Sequence, residues 1–271
     1  MDVLFQVDDW DVPFAAAGLT RAEGVVAVHG DVEQPVRLAS VSKPVTALAT
    51  LVAAEEGVVA LDEPAGPPGA TLRHLLAHAS GLPFEGLVPI APPGRRRIYS
   101  NEGFAIVGEH VARAAAMPFA EYVREAVCVP LGLGLDPEGH PGAGMHANLE
   151  DVLALGRELL APTLVAPETH RELTTVQFAG LDGVLPDFGR FRPLDWGLGV
   201  ELKGTKEGHW SGVLTAPETF GHFGGSGTFL WVDPSRGVAL AVLTTRPFGP
   251  WAKEAWPRLS DAVVAAVDGG A

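Results

Sequence analysis

A single cysteine, Cys128, stands among the 271 residues, so no disulfide can form within the chain. Basic residues are also scarce: 19 Lys and Arg against 33 Asp and Glu give a net charge of −14. Nucleic acids and anionic lipid surfaces attract clustered cations. The longest basic run here is Arg95-Arg96-Arg97, so neither a nucleic-acid nor a membrane partner is expected. No apolar stretch approaches the roughly 20 residues of a bilayer-spanning helix. The first residues, MDVLFQVDDWDVPF, lack a basic segment followed by an apolar one, which a secretory leader needs. The expectation is a soluble, cytoplasmic protein. Several site signatures are missing too. There is no Gly-x-Ser-x-Gly elbow, which removes the common α/β-hydrolase fold. The segment GVELKGTK (199–206) misses the phosphate-loop pattern because Thr205, not Lys, follows Gly204. His74 and His78 share a helical face, but Leu75 stands where a zinc-protease helix has Glu and no third ligand is apparent, so His78 is expected to satisfy local backbone groups instead. No metal and no cofactor are expected.

What is present is a core-forming composition, 47% hydrophobic, punctuated by 33 Gly and 23 Pro. Such a chain builds a compact fold with many short connections. EGVVAVHG (23–30) is a β-branched run, and PVRLAS after it suggests the other arm of a hairpin. The pattern turns helical near Val45, with Gly57 placed as a cap. It stays helical through TLRHLLAHASG, NEGFAIVGEHVARAAA, FAEYVREAVCVPLG and ANLEDVLALGRELL. In the last of these, Asn148 is a candidate N-cap with Asp151 three residues on. Beyond about residue 190, WGLGVELKG, GTFLWVDPS and GVALAVLTT read as strands, and a helix with a kink or break at Pro257 ends the chain. Strands at both ends and helices between them imply an α/β (α+β) fold in one domain, residues 1–271. An antiparallel sheet built from both termini and flanked by helices forms a discontinuous lobe, residues 1–45 plus 190–271. A mainly helical lobe, residues 46–189, is inserted into it. A cleft between two lobes is where a site is expected.

Within LASVSKPVTALA (38–49), Ser40 precedes Lys43 by three residues at the start of a helix. Side chains so spaced lie on one face. A helix N-terminus and burial both favour a neutral lysine, which can take the serine proton and make the hydroxyl a nucleophile. Pro44 suits a first turn and biases Lys43 away from helical dihedrals, which limits where the helix begins. Taken alone, the pair is a weak signal and reads more readily as an N-cap serine beside an ordinary surface lysine. Two further segments change that: Tyr99-Ser100-Asn101 ahead of an apolar helix, and His222-Phe223-Gly224 entering a strand.

Ser-x-x-Lys, Tyr-x-Asn and a strand-borne (Lys/His)-x-Gly, in that order, resemble the serine β-lactamase and penicillin-binding-protein superfamily. Tyr-x-Asn resembles its class C-like branch, which includes D-alanyl-D-alanine peptidases and β-lactamase-fold esterases. LRHLLAHASGLP and WGLGVEL resemble connecting segments of the family, so the likeness covers roughly residues 20–265.

The resemblance implies a β-lactamase/transpeptidase-like fold, with Ser40 as nucleophile, Lys43 as base and Tyr99 sharing proton transfer to the leaving group. Asn101 would orient the lysine and meet the substrate carbonyl side. The amides of Ser40 and Gly225 would hold the oxyanion, with Gly224 closing the third motif. His222 departs from the lysine usual in penicillin-recognising members, and a largely neutral imidazole attracts a carboxylate less. The chain is short for the branch and lacks a Glu-x-x-Leu-Asn loop, so efficient β-lactam turnover is not expected. The expected activity is hydrolysis of small-molecule esters through an acyl-enzyme. Peptidase or amidase action on D-amino acid or peptidoglycan-like substrates is the alternative, and a non-catalytic ligand-binding protein is the reading from another class. Arg95–Arg97 reads as a solvated loop, Cys128 as an inert core thiol, and GLPFEGLVPIAPPG (81–94) as a possible pocket wall.

Overall fold

The computed structural model describes residues 1–270. Its main sheet has six strands: β1 (Ala15–Arg21), β2 (Gly24–His29), β3 (Glu201–Leu202), β4 (Phe220–Gly224), β5 (Thr228–Asp233) and β6 (Val238–Thr244). Their spatial order is β2-β1-β6-β5-β4-β3, every neighbouring pair antiparallel. Two strands come from the N-terminal end and four from the C-terminal end, so β6 beside β1 closes the sheet from both termini, as the pattern of strands implies.

The central strand shows why an unbroken apolar run becomes a strand here. Alternate side chains point to opposite faces, and both faces of VALAVLT are covered. Ala239, Ala241 and Leu243 pack in the cluster that includes helix residues Val152 and Leu153. Val238, Leu240 and Val242 pack with Leu4 and Val7 of the N-terminal 3-10 helix and with Trp256, Leu259 and Val263.

Five helices matter for the site and its support: α1 (Ser42–Glu55), α2 (Leu72–Leu76), α3 (Asn101–Ala115), α4 (Leu149–Leu160) and α5 (Pro250–Asp268). The capping box of α4 is formed as expected. Asp151 N donates to Asn148 Oδ1 at 2.9 Å, and Asn148 N to Asp151 Oδ2 at 3.4 Å. No helix among the described residues is long and apolar enough to cross a membrane.

Three local expectations are corrected. The hairpin partner of 23–30 is β1, not 35–40; Val36–Arg37 pairs instead with His146–Ala147. The reason is reach, since the Arg21–Gly24 turn connects β1 and β2 directly. Helix α5 runs through Pro257 without ending. Burial of Trp256, Leu259 and Val263 against the sheet outweighs a local proline cost of about 3 kcal/mol. Lys43 is helical despite Pro44, because a 3-10 turn at Ala39–Val41 leads straight into α1.

Candidate active site

Ser40 sits in that 3-10 turn, not in the α-helix proper. The 3-10 turn runs directly into α1, so Ser40 and Lys43 stand one turn apart on the same face. Ala39, the residue before, is held at φ 46°, the left-handed region that a β-carbon disfavours. Lys43 is fully buried. Its Nζ donates to Asn101 Oδ1 at 2.7 Å and to Gly142 O at 2.8 Å, and lies 3.2 Å from Ser40 Oγ. It also lies over the Tyr99 and Phe104 rings, 4.7 and 5.2 Å from their centroids. Burial pushes its pKa well below the ordinary lysine value.

Tyr99 approaches from the loop before α3, and its hydroxyl donates to Ser40 Oγ at 2.7 Å. The same hydroxyl is 3.4 Å from His222 Nε2. Burial raises the phenol pKa, outweighing the hydrogen bond to Ser40, so the ring is a protonated donor. His222, on β4, is buried and donates through Nδ1 to Phe223 O at 2.7 Å. That bond places the ring proton on Nδ1 and leaves Nε2 unprotonated beside the Tyr99 oxygen, the pattern of a neutral imidazole. Burial, with the Lys43 charge adding to it, brings the His222 pKa down to about 3.

Asn101 is the first residue of α3, and the N-cap is Ser100, whose Oγ accepts from Gly103 N at 3.0 Å. Cap duty therefore falls on Ser100, leaving the Asn101 amide for the lysine. Strand β4 is not an edge strand, but β3 pairs only with its Phe220 and Gly221, so the edge is open from His222 onward. At Gly224 a β-carbon would stand 2.3 Å from Leu38 O and 2.4 Å from Thr228 Oγ1. The glycine lets β4 dock against the turn that carries Ser40. Space for a ligand opens one residue later, where a β-carbon at Gly225 would meet nothing within 4 Å. Among the described residues the amides of Ser40 and Gly225 donate to no other group.

The structure thus brings Ser40, Lys43, Tyr99, Asn101, His222, Gly224 and Gly225 to one place. Sequence reasoning missed two other contributors. Gly142 presents a backbone carbonyl to Lys43, a role with no side-chain signature. Trp196 packs against Tyr99 and His222, ring centroids 5.8 and 5.3 Å apart, as a floor. His78 serves backbone groups as expected: its Nδ1 accepts from Ser100 N at 3.1 Å, which supports the turn that carries Tyr99. Of the loop 81–94, Phe84 lines the site while Leu87, Val88 and Ile90 are exposed.

Arg97 corrects the solvated-loop expectation. It is buried, and its guanidinium donates to Leu194 O (3.1 Å), Ala77 O (2.5 Å) and Gln177 O (2.7 Å). Burial lowers its pKa to about 10, which leaves it charged at neutral pH. Replacing Arg97 with methionine strands these carbonyls, and a loss of about 3 kcal/mol is expected. Urea unfolding reads this as a lower midpoint; an unchanged midpoint would mean that the carbonyls find other donors. Cys128 is a buried thiol whose pKa burial raises to about 11, in line with an inert core residue.

With the geometry in hand, comparison with known proteins gives a consistent placement. The family model described as Beta-lactamase matches residues 4–134 and 133–265. A solved beta-lactamase from Mycobacterium bovis is 49% identical and superposes with a TM-score of 0.96, covering 98% of this chain and 99% of that one. EstCE1, described as a hydrolase with promiscuous acyltransferase activity, is 19% identical with a TM-score of 0.79, over 97% of this chain and 96% of its own. A putative D-alanyl-D-alanine carboxypeptidase from Salmonella enteritidis PT4 is 26% identical over 204 residues, 58% of this chain. The chain spans about half the length of the curated relatives it matches, 47% in that case.

Proposed function

The chain belongs to the beta-lactamase family, and from that premise we propose that it is a serine hydrolase acting on small esters through an acyl-enzyme at Ser40. One observation carries this reading: the hydrogen-bond accounting around Lys43. A neutral amine has two N–H donors and one lone pair. Asn101 Oδ1 and Gly142 O take the two donors. The lone pair is left for the Ser40 hydroxyl 3.2 Å away, and burial favours that neutral form.

The steps follow from these contacts. Ser40 Oγ attacks the ester carbonyl carbon as its proton passes to Lys43 Nζ. The carbonyl oxygen, now negative, takes the free amides of Ser40 and Gly225. As the carbon–oxygen bond to the leaving group breaks, Tyr99 gives its proton to the departing oxygen. The Lys43 ammonium then restores the Tyr99 phenol. Water repeats the sequence on the acyl-enzyme, freeing the acid and returning the proton to Ser40.

Peptidase action on D-amino acid substrates is the second reading, favoured by the relative named as a carboxypeptidase. Esters rank ahead of it and of β-lactams because His222 stands neutral where a substrate carboxylate would want a cation. The test is to quench the protein during turnover of p-nitrophenyl butyrate and map the peptides by mass. A butyryl group on the peptide holding Ser40 is expected. A label that accumulates and never turns over would favour the ligand-binding reading, and a label elsewhere would overturn the assignment.

A further inference from the structure

Two recesses meet at Ser40 and Gly225, and they are unlike each other. One is a pocket of about 150 Å³, walled by Phe84, Tyr99, Leu185, Phe223 and Phe248, with His222 at its back. Asp187 is the sole charged residue lining it among the described residues. The other is an open groove of about 600 Å³ that runs past Asn101 to Arg37, His146, Ser226 and Thr245. Tyr99 and His222 line the first and not the second; Asn101 lines the second and not the first.

That division orients a substrate, on the reading that Ser40 is an acylated nucleophile. The proton donor must lie against the oxygen that departs. Tyr99 holds that proton against Ser40 Oγ, and of the two recesses Tyr99 lines only the small one. The departing half of the ester therefore lies among the aromatic rings, and the acyl half lies along the groove. We propose that the substrate is an ester of a small, neutral, apolar alcohol, phenol-sized or a short branched alkanol, whose acyl part is larger and polar.

Size and charge argue the same way. An apolar cavity of about 150 Å³ holds a benzene ring, and 600 Å³ admits a far larger group. A departing D-amino acid carries a carboxylate. In this recess it meets the Asp187 carboxylate and aromatic faces, and no Lys or Arg lines the wall. The Lys253 ammonium, close by on α5, is held by the Asp187 carbonyl. Burying an unpaired carboxylate costs several kcal/mol, so such leaving groups are excluded. The groove is the opposite case. Arg37 is exposed there, with Nε on Ala143 O at 3.1 Å, and hydroxyls of Ser226 and Thr245 lie along the walls.

The test compares kcat/KM for butyrate esters of phenol, 4-hydroxybenzoate and 2-naphthol, since this ratio reports the steps through acylation. The 4-hydroxybenzoate ester is intrinsically at least as reactive as the phenyl ester, so chemistry alone would not disfavour it. The expected result is a preference for the phenyl ester of about tenfold or more over each of the others. Asp187→Asn, which keeps a residue tolerant of the φ of 64° at this position, should narrow the gap to the 4-hydroxybenzoate ester several-fold. Phe248→Ala should raise the naphthyl-to-phenyl ratio. Ratios within one variant do not depend on how much of it folds. Ser40-dependent hydrolysis with no leaving-group preference, or variants that shift acyl-chain preference instead, would overturn the inference and leave the hydrolase reading standing. Absence of Ser40-dependent hydrolysis for every ester would overturn the hydrolase reading and the inference with it.

Discussion

Ser40→Ala lowers ester turnover to background, a fall in kcat of about 10³-fold or more. The expectation rests on position. Ser40 Oγ is where the Tyr99 hydroxyl and the Lys43 amine converge, at 2.7 and 3.2 Å. No neighbouring side chain can replace a missing nucleophile there, because Tyr99 is a phenol whose pKa burial raises and Lys43 is held by Asn101 and Gly142. The fold should survive the change. Lys43 keeps two of its three partners, and alanine occupies less space than serine. Rates on p-nitrophenyl butyrate beside a thermal melt of both proteins decide the matter. A mutant as active as the wild type would remove Ser40 from the mechanism, and a collapsed melt would make the rate uninformative without a milder Ser40→Cys variant.

Loss of the base is the second large effect. Lys43→Met and Lys43→Arg should each lower kcat/KM by about 10³-fold. Arginine is the sharper test, since it keeps a cation near Asn101 but does not deprotonate near neutral pH. If Lys43 served only as a positive charge, arginine would retain much of the rate. The pH profile adds a direction. The reactive form is the free amine, and burial pulls the Lys43 pKa well below 10.5. The wild-type kcat/KM should therefore rise with pH through the lowered Lys43 pKa and level off well under 10.5. Tyr99 must stay protonated to donate, and its pKa is raised above 10.0, so it imposes no fall on the plateau below that pH. A rate still climbing at pH 10 would show that Lys43 titrates as an ordinary lysine and is not the base.

How much of this was legible in the chain differs from element to element, for physical reasons. The strand VALAVLT and the helix after Asn148 carry their own signals. One is a β-branched apolar run, and the other is a cap whose two partners lie three residues apart. The short pieces were less readable. A two-residue strand such as Val36–Arg37 exists only because His146–Ala147 lies opposite, so no local pattern announces it. Pro257 misled for a related reason, since its local cost is set against packing that lies far away in the chain. Arg97 misled too, because three carbonyls from three separate segments make a buried guanidinium satisfied, and none is visible beside it in sequence.

At the site, the three motifs were visible because each is compact: a serine and lysine within one turn, a tyrosine and asparagine at a helix start, a histidine and glycine on one strand. The residue types alone narrowed the chemistry to a serine with an amine base and a phenol. By itself, then, the sequence determined the two-ended sheet, the apolar composition of the core and the identity of the polar groups that meet. Only the tertiary structure decided their protonation states, because burial is a property of everything packed around a group, not of its neighbours along the chain. It also decided that Gly142 offers its carbonyl to Lys43, that β4 is open beyond Gly221, and that one recess is small and aromatic while the other is wide and polar. Those features arise where segments distant in sequence approach within a few ångströms, and a chain read in order holds no record of such distances.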